Sequence, residues 1–301
     1  MQVPGNDRTA ATLFGVCTVI IATNPIAVRF SDRELDPWWG ACLRFTLAAA
    51  VFAALAAALK LGLPRGRALG GAAVFGALNY AGAVGLAYYG FVHVHAGIGQ
   101  ILFALVPLAT LLLAVVQRQE HLHARAIAGA LLALAGVALL TASPLTGSVP
   151  PLSLLALFVS MLCVAESAVL ARRLPLQLHP VQLNVVASAT AALILLPVSL
   201  LSDETIALPH QARTWGALAF VVLISSVLMF ILYLLLLRRW LASRVAYIFV
   251  LAPPLTIALS AWLDNEHVSS DLFLGGAVIL AGVYVGALRP REAPVPAVPA
   301  P

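Results

Sequence analysis

A chain of 301 residues with 62% hydrophobic and only 10% charged residues, and a mean hydropathy of +1.00, lies outside the range of water-soluble domains, so lipid is the solvent to reason with. The net charge of +5 and pI near 9.5 do not point to a nucleic-acid binder, because the basic residues are spread over short loops rather than gathered on one helix or patch. Cys17, Cys42 and Cys163 fall inside apolar runs, where a thiol acts as a small hydrophobe, and no structural disulfide is expected.

The apolar residues form runs of roughly twenty, the length a helix needs to cross a hydrocarbon layer of about 30 Å. Runs of Ala, Leu and Val without strict alternation fit helices better than the strands of a membrane barrel. Behind a short cytoplasmic N-terminus (1–10), spans are predicted at 11–30, 38–59, 68–91, 96–116 and 124–142. A linker (143–151) leads to five more at 152–171, 181–201, 214–237, 244–263 and 272–288, and a Pro/Ala-rich tail (289–301) is expected to be disordered. A signal peptide is the competing reading of residues 1–30, since Arg8 precedes an apolar run and small residues follow. It would leave nine spans and break the symmetry described next.

With the N-terminus in the cytoplasm, thirteen of the seventeen Lys and Arg residues fall on the inner side, among them Arg8, Lys60, Arg65, Arg118, Arg172 and Arg238. The outer segments collect Arg29, Arg33 and Arg213 together with acids such as Asp32, Glu34, Asp36, Asp203 and Asp264, while Arg44 stays within a span. The expected location is a cell (inner) membrane, with both termini in the cytoplasm.

Sliding the sequence by 146 positions aligns Leu105, Pro107, Thr110, Leu113, Glu120, His121 and Gly129 with identical residues at 251, 253, 256, 259, 266, 267 and 275. Leu134-Ala135-Gly136-Val137 likewise falls on Leu280-Ala281-Gly282-Val283, and Asn79 pairs with Ser225. Because five spans is an odd number, the second copy enters the membrane from the opposite side. The expected fold is therefore an all-α polytopic membrane protein: ten transmembrane helices as two inverted five-helix repeats, 11–142 and 152–288. Inverted repeats are the architecture of many secondary transporters, with the ligand site near the midplane where the copies meet.

These residues resemble the drug/metabolite transporter superfamily, in particular its EamA-type ten-helix members. The resemblance is carried by Leu105-Val106-Pro107 through Glu120 and Leu251-Ala252-Pro253 through Glu266, each followed by a Gly-rich span, and by Arg44 in the second span. In the first span Ile21-Ala22 replaces an aromatic-Gly pair frequent in the family, ahead of Thr23-Asn24-Pro25. The resemblance implies a carrier or exporter of amino acids and similar small metabolites, with a central cavity lined by the first, third, fourth, sixth, eighth and ninth helices. A drug or nucleotide-sugar carrier, or a flippase, of the same fold is the alternative.

A charge within a span costs about 2.5–3.5 kcal/mol on insertion scales, which makes Glu166 and Arg44 functional candidates. Glu166 falls in the sixth span about 8 Å from its inner end, on a stripe with Ser160, Cys163 and Ser167. It is expected to bind a substrate amine or a coupling proton, or else to make a structural hydrogen bond or sit at a water-exposed end. Arg44, about 10 Å below the outer surface, is expected either to bind a substrate carboxylate or to hold helices together.

Asn79, Tyr80, Ser225 and Ser226 fall near the midplane, and Ser226, Met229 and Tyr233 share a helical face; hydrogen bonds between helices are the alternative role for them. Pro25, Pro107, Pro197, Pro253 and Pro254 are expected to break the helical ladder, which adds Asn24, Gln100 and Tyr247 as neighbours of breaks that line a site, a packing kink being the plainer explanation. Gly282 and Gly286 are read as a helix-packing face.

His93 with His95 and His121 with His123 are not read as metal ligands, since residues two apart do not share a helix face. No cofactor or metal is expected. No phosphate loop, nucleophile elbow or zinc-protease motif occurs, which argues against an ATP-driven pump and an enzyme. An intramembrane enzyme using Glu166 and the histidines is the reading from another class. The expected partners are a small-molecule substrate and the lipid bilayer.

Overall fold

A computed structural model describes residues 7–119, 124–141, 149–171, 178–237, 248–264 and 270–285. They form ten helices in the order expected from hydropathy, with no strand among the described residues. Helix α1 covers Asp7–Ser31 and α2 Pro37–Ala58. Helix α3 is built of Arg67–Phe75, a π-helical segment Gly76–Gly82 and Ala83–Phe91. Helix α4 consists of Ala96–Phe103 and Val106–Val116, and α5 covers Ala124–Thr141. The second half comprises α6 (Pro151–Ala171), α7 (Pro180–Leu201), α8 (Ala212–Ala219, π-helical Phe220–Leu228 and Met229–Leu237), α9 (Ile248–Leu263) and α10 (Ser270–Val283).

Six of the helices are long and apolar enough to cross a bilayer, and α5, α8, α9 and α10 contribute shorter apolar stretches. Polarity is distributed as lipid requires. Leu131, Leu134, Leu193 and Phe273 stand on outward faces, each more than half exposed, whereas Arg44, Gln100, Asn184 and Ser188 are buried. The chain is a multi-pass membrane protein.

Proline marks helix starts more often than breaks. Pro37 and Pro180 occupy first-turn positions, where the missing N–H costs nothing. Pro107 follows the interruption of α4 at Ala104–Leu105, as its ring demands of the carbonyl four residues earlier. The other expected breaks differ. Pro25, Pro197, Pro253 and Pro254 lie inside continuous helices, because a proline removes one ladder bond that the flanking turns can tolerate. The π-helical turns of α3 and α8 were not expected. They coincide under the 146-residue shift, as 76–82 falls on 222–228.

The helix pairing is symmetric about the two halves. Helix α3 packs on α6 as α8 packs on α1, and α4 packs on α6 as α9 packs on α1, while α2 pairs with α7 and α5 with α10. The copies are also inverted. Glu204, beyond the end of α7, accepts from Trp38 N (3.1 Å) and Trp39 N (2.7 Å) at the start of α2, and Gln182 at the start of α7 donates to Gly62 O beyond the end of α2. Helices α2 and α7, second in their respective halves, therefore run antiparallel.

The α5–α10 contact shows the same relation at atomic scale. A Cβ on Gly136 would come within 2.7 Å of Ile279 N and 3.0 Å of Gly275 O, and one on Gly282 within 2.6 Å of Ala133 N and 2.7 Å of Gly129 O. The glycine on each helix lets the backbone of the other come this close.

Candidate functional site

One end of the bundle, here called the Asp36 end, gathers the α1–α2, α3–α4 and α7–α8 loops with the end of α9. Arg29 at the end of α1 donates from Nε to Asp264 Oδ2 (3.1 Å) and from Nη1 to the carbonyls of Val94 and Phe91. Arg33 also pairs with Asp264, whose side chain is almost wholly buried. Thr205 N donates to Asp36 Oδ2 (2.8 Å), and Gln211 N at the head of α8 donates to Glu34. Glu34 sits at the head of α8 and Glu204 at the head of α2, where helix N-termini present free N–H groups, so charge and dipole agree there.

Between this end and the middle of the bundle lies a cavity of about 220 Å³. Its wall is formed by α1 (Ile20, Asn24, Pro25), α2 (Arg44), α3 (Val84, Ala87, Tyr88, Phe91), α4 (Gln100, Phe103), α6 (Val164) and α8 (Ser225, Met229). Both halves of the chain contribute. Compared with the helices implied by the family resemblance, α2 is added through Arg44, and the described part of α9 contributes no wall residue.

Arg44 is only 5% exposed. Its Nη2 donates to Ser226 Oγ at 3.4 Å, and the guanidinium carbon stands 5.6 Å from the centre of the Phe45 ring. Its Nε and Nη1 make no hydrogen bond with the described residues, and neither do Asn24 Oδ1, Tyr88 Oη and Ser225 Oγ. Four side chains on one cavity thus carry buried polar atoms without hydrogen-bond partners among the described residues, a costly arrangement outside a binding site.

Asn24, Pro25, Arg44, Gln100 and Ser225 are the sequence candidates that meet at this cavity. Ser226 lies behind it as the partner of Arg44. Asn79 and Tyr80 instead tie helices together. Ser167 Oγ donates to Asn79 Oδ1 (3.1 Å), while Tyr80 donates to Asn184 Oδ1 and stacks on Phe45 with ring centroids 4.9 Å apart.

Glu166 stands at the other end of the bundle. Gln117 Nε2 donates to both of its carboxylate oxygens at 2.8 Å, clasping α6 to the end of α4, and Glu166 does not line the cavity. Pro107 lies at the break in α4, and Pro253 and Pro254 lie within α9; none of the three lines the cavity. The Tyr233 side chain and Tyr247 lie outside the described residues, as do His121, His123 and Gly286.

Sequence reasoning missed Tyr88, Phe91 and Phe103. The available signal was the stripe Val84, Ala87, Tyr88, Phe91, which keeps helical spacing along one face of α3. A second crevice of about 340 Å³ lies among α4, α5 and α6, lined by residues such as Leu105, Leu112, Leu134 and Phe158. Its described lining residues present no polar side chain to orient a solute. Among the described residues no three His, Cys, Asp or Glu side chains converge as a metal site.

The family model of EamA-like transporters matches this chain twice, over residues 9–142 and 151–287. The chain belongs to the EamA-like transporter family. The double match divides the EamA-like chain where its helix pairing does. An uncharacterized transporter of Archaeoglobus fulgidus is 26% identical over 267 residues, covering 86% of this chain and 91% of that protein. The uncharacterized transporter YyaM of Bacillus subtilis is 26% identical over 215 residues, 70% of each chain. A solved crystal structure at 20% identity superposes with a TM-score of 0.63 over 93% of this chain and 97% of its own, which shows a common fold. Family and relatives are transporters, so the EamA-like cavity is the place to look for a small-molecule substrate.

Proposed function

We propose that this EamA-like protein is a secondary transporter that exports small metabolites, neutral or aromatic amino acids first among them, by alternating access through the cavity at Arg44. The observation that carries the reading is the junction of both halves around buried polar groups of α1, α2, α3 and α8 that lack hydrogen-bond partners among the described residues. In a two-fold inverted fold, rocking one half against the other exposes such a junction to each side in turn.

The wall offers Phe91, Phe103 and Met229 for an apolar body and Arg44, Asn24, Gln100 and Ser225 for polar ends. At about 220 Å³ the cavity is smaller than the roughly 300–1,000 Å³ pockets of drug-sized ligands, which favours amino-acid-sized solutes over nucleotide sugars. The contacts between halves at the Asp36 end, Arg29 with Asp264 and Glu204 with α2, are the ones that part when that end opens. The inner membrane with cytoplasmic termini is the location that fits the distribution of Lys and Arg.

The test is counterflow in proteoliposomes across radiolabelled amino acids, nucleosides and polyamines. Accumulation of an unchanged neutral or aromatic amino acid supports the reading. Flux confined to nucleosides or polyamines, or chemical turnover without flux, contradicts it.

A further inference from the structure

The unpartnered atoms at the cavity are of different kinds. Arg44 Nε and Nη1 belong to a cationic guanidinium and can only donate. Asn24 Oδ1 can only accept, and the hydroxyls of Tyr88 and Ser225 can do either. The contacts of Arg44 among the described residues, the Ser226 and Tyr88 hydroxyls and the Phe45 ring, are uncharged groups, and no Asp or Glu lies among the wall residues. Among the described residues, a guanidinium at 5% exposure thus faces the cavity without an anion. A buried charge left in this state is among the costliest arrangements in a folded chain, and its natural complement is a planar anion that accepts from two N–H groups at once.

We propose that the solute is an organic carboxylate that also carries a hydrogen-bond donor: its carboxylate accepts from Arg44 Nε and Nη1, and its ammonium or hydroxyl group donates to Asn24 Oδ1. The inference rests on the reading of this cavity as the substrate site and narrows it to α-amino and α-hydroxy acids. Ile20, Val84, Phe91, Phe103 and Met229 then take the apolar remainder of the solute. Polyamines are excluded by repulsion from Arg44. Neutral amides and nucleosides are disfavoured because they leave the guanidinium unpaired, the kind of polar mismatch that discriminates most strongly between ligands.

Binding to purified full-length protein is measured for phenylalanine, 3-phenyllactate, 3-phenylpropionate and phenylalaninamide, and for leucine with its amide. Each variant is first checked for a monodisperse, cooperatively melting sample. The wild type is expected to bind the acids and to lose at least tenfold on the amides. It is also expected to bind phenylalanine and 3-phenyllactate more tightly than 3-phenylpropionate.

Arg44→Gln removes the preference for acid over amide, Arg44→Lys keeps part of it, and Asn24→Leu removes the preference for a donor. Amides binding as well as acids, no acid binding at all, or an unchanged preference in Arg44→Gln overturns the inference. Ala87→Trp, which fills the cavity, separates this failure from a deeper one. If it abolishes binding while acids and amides are not distinguished, only the carboxylate assignment fails. If it leaves binding intact, the cavity is not the site and both readings fail.

Discussion

Gly136 and Gly282, 146 positions apart, pack into each other's helix so that each faces the repeat equivalents of what the other faces: Gly275 and Ile279 for the first, Gly129 and Ala133 for the second. The reciprocity places the pseudo-two-fold axis between α5 and α10. It also explains why the Gly-rich spans match so well between the halves. A side chain at either position strikes backbone, which cannot rotate away.

Gly136→Ala and Gly282→Ala are accordingly expected to cost similar amounts, about 1–3 kcal/mol each, through overpacking. Gly70 provides the control, since a Cβ there meets nothing within 4 Å. Gly70→Ala is expected to be neutral or to stabilise by up to about 1 kcal/mol through helix propensity. Thermal melts in one detergent check all three, and equal behaviour of Gly70 and Gly136 would contradict the packing.

Asp264 holds Arg29 and Arg33 from a position where its own side chain is almost entirely buried. Asp264→Asn removes the charge from both pairs. Losing about 1–2 kcal/mol from the closed Asp36 end raises its open population roughly tenfold. With Cys17, Cys42 and Cys163 replaced, a cysteine at Val84 on the cavity wall should then be labelled faster from that end. An unchanged labelling rate would show that the pair is not a latch.

Asp32, in the loop after α1, has Oδ2 shut off from solvent and without a hydrogen-bond partner. Burial pushes its pKa well above the usual carboxylate range, with Glu204 adding to the push while Ser31 and Arg29 pull it down. The folded chain thus keeps a proton that the unfolded chain releases near the ordinary value. More protons bound when folded means that this group's contribution to stability falls as pH rises through the window between the ordinary and the raised value. Melts from about pH 4 to 8 should show Asp32→Asn flattening that decline, since about 4 is the unperturbed value of Asp. The same slope in the variant would assign the titration elsewhere.

Glu166→Gln should leave counterflow and its pH profile unchanged, because a glutamine can still accept from Gln117 and the site lies away from the cavity. Glu166→Leu, which cannot accept, should lower the melting temperature. Loss of transport in a folded Glu166→Gln protein would return Glu166 to the substrate or proton pathway.

The spans and their symmetry were legible because a bilayer imposes one length and one polarity on every crossing, and because the 146-residue register fixes how equivalent helices meet. Asn24, Arg44, Gln100 and Ser225 were legible for a related reason: a polar side chain in an apolar run must face protein, water or solute. Tyr88, Phe91 and Phe103 were not, since an aromatic at helical spacing serves a packed core equally well. The partner of Glu166 is 49 positions away, and only the packing of α4 on α6 identifies it. Prolines misled in the other direction. Pro107 follows a break, but Pro25 and the Pro253–Pro254 pair ride within helices, while the breaks of register in α3 and α8 come from π-helical turns that no residue type announces.

The most direct test of a shared cavity served from both sides is the labelling of Val84→Cys, in a chain otherwise free of cysteine, by membrane-impermeant reagents added inside or outside oriented vesicles. Modification is expected from each side in turn, slowed from both by the transported amino acid. Labelling from one side only, or no protection by any transported solute, would contradict it.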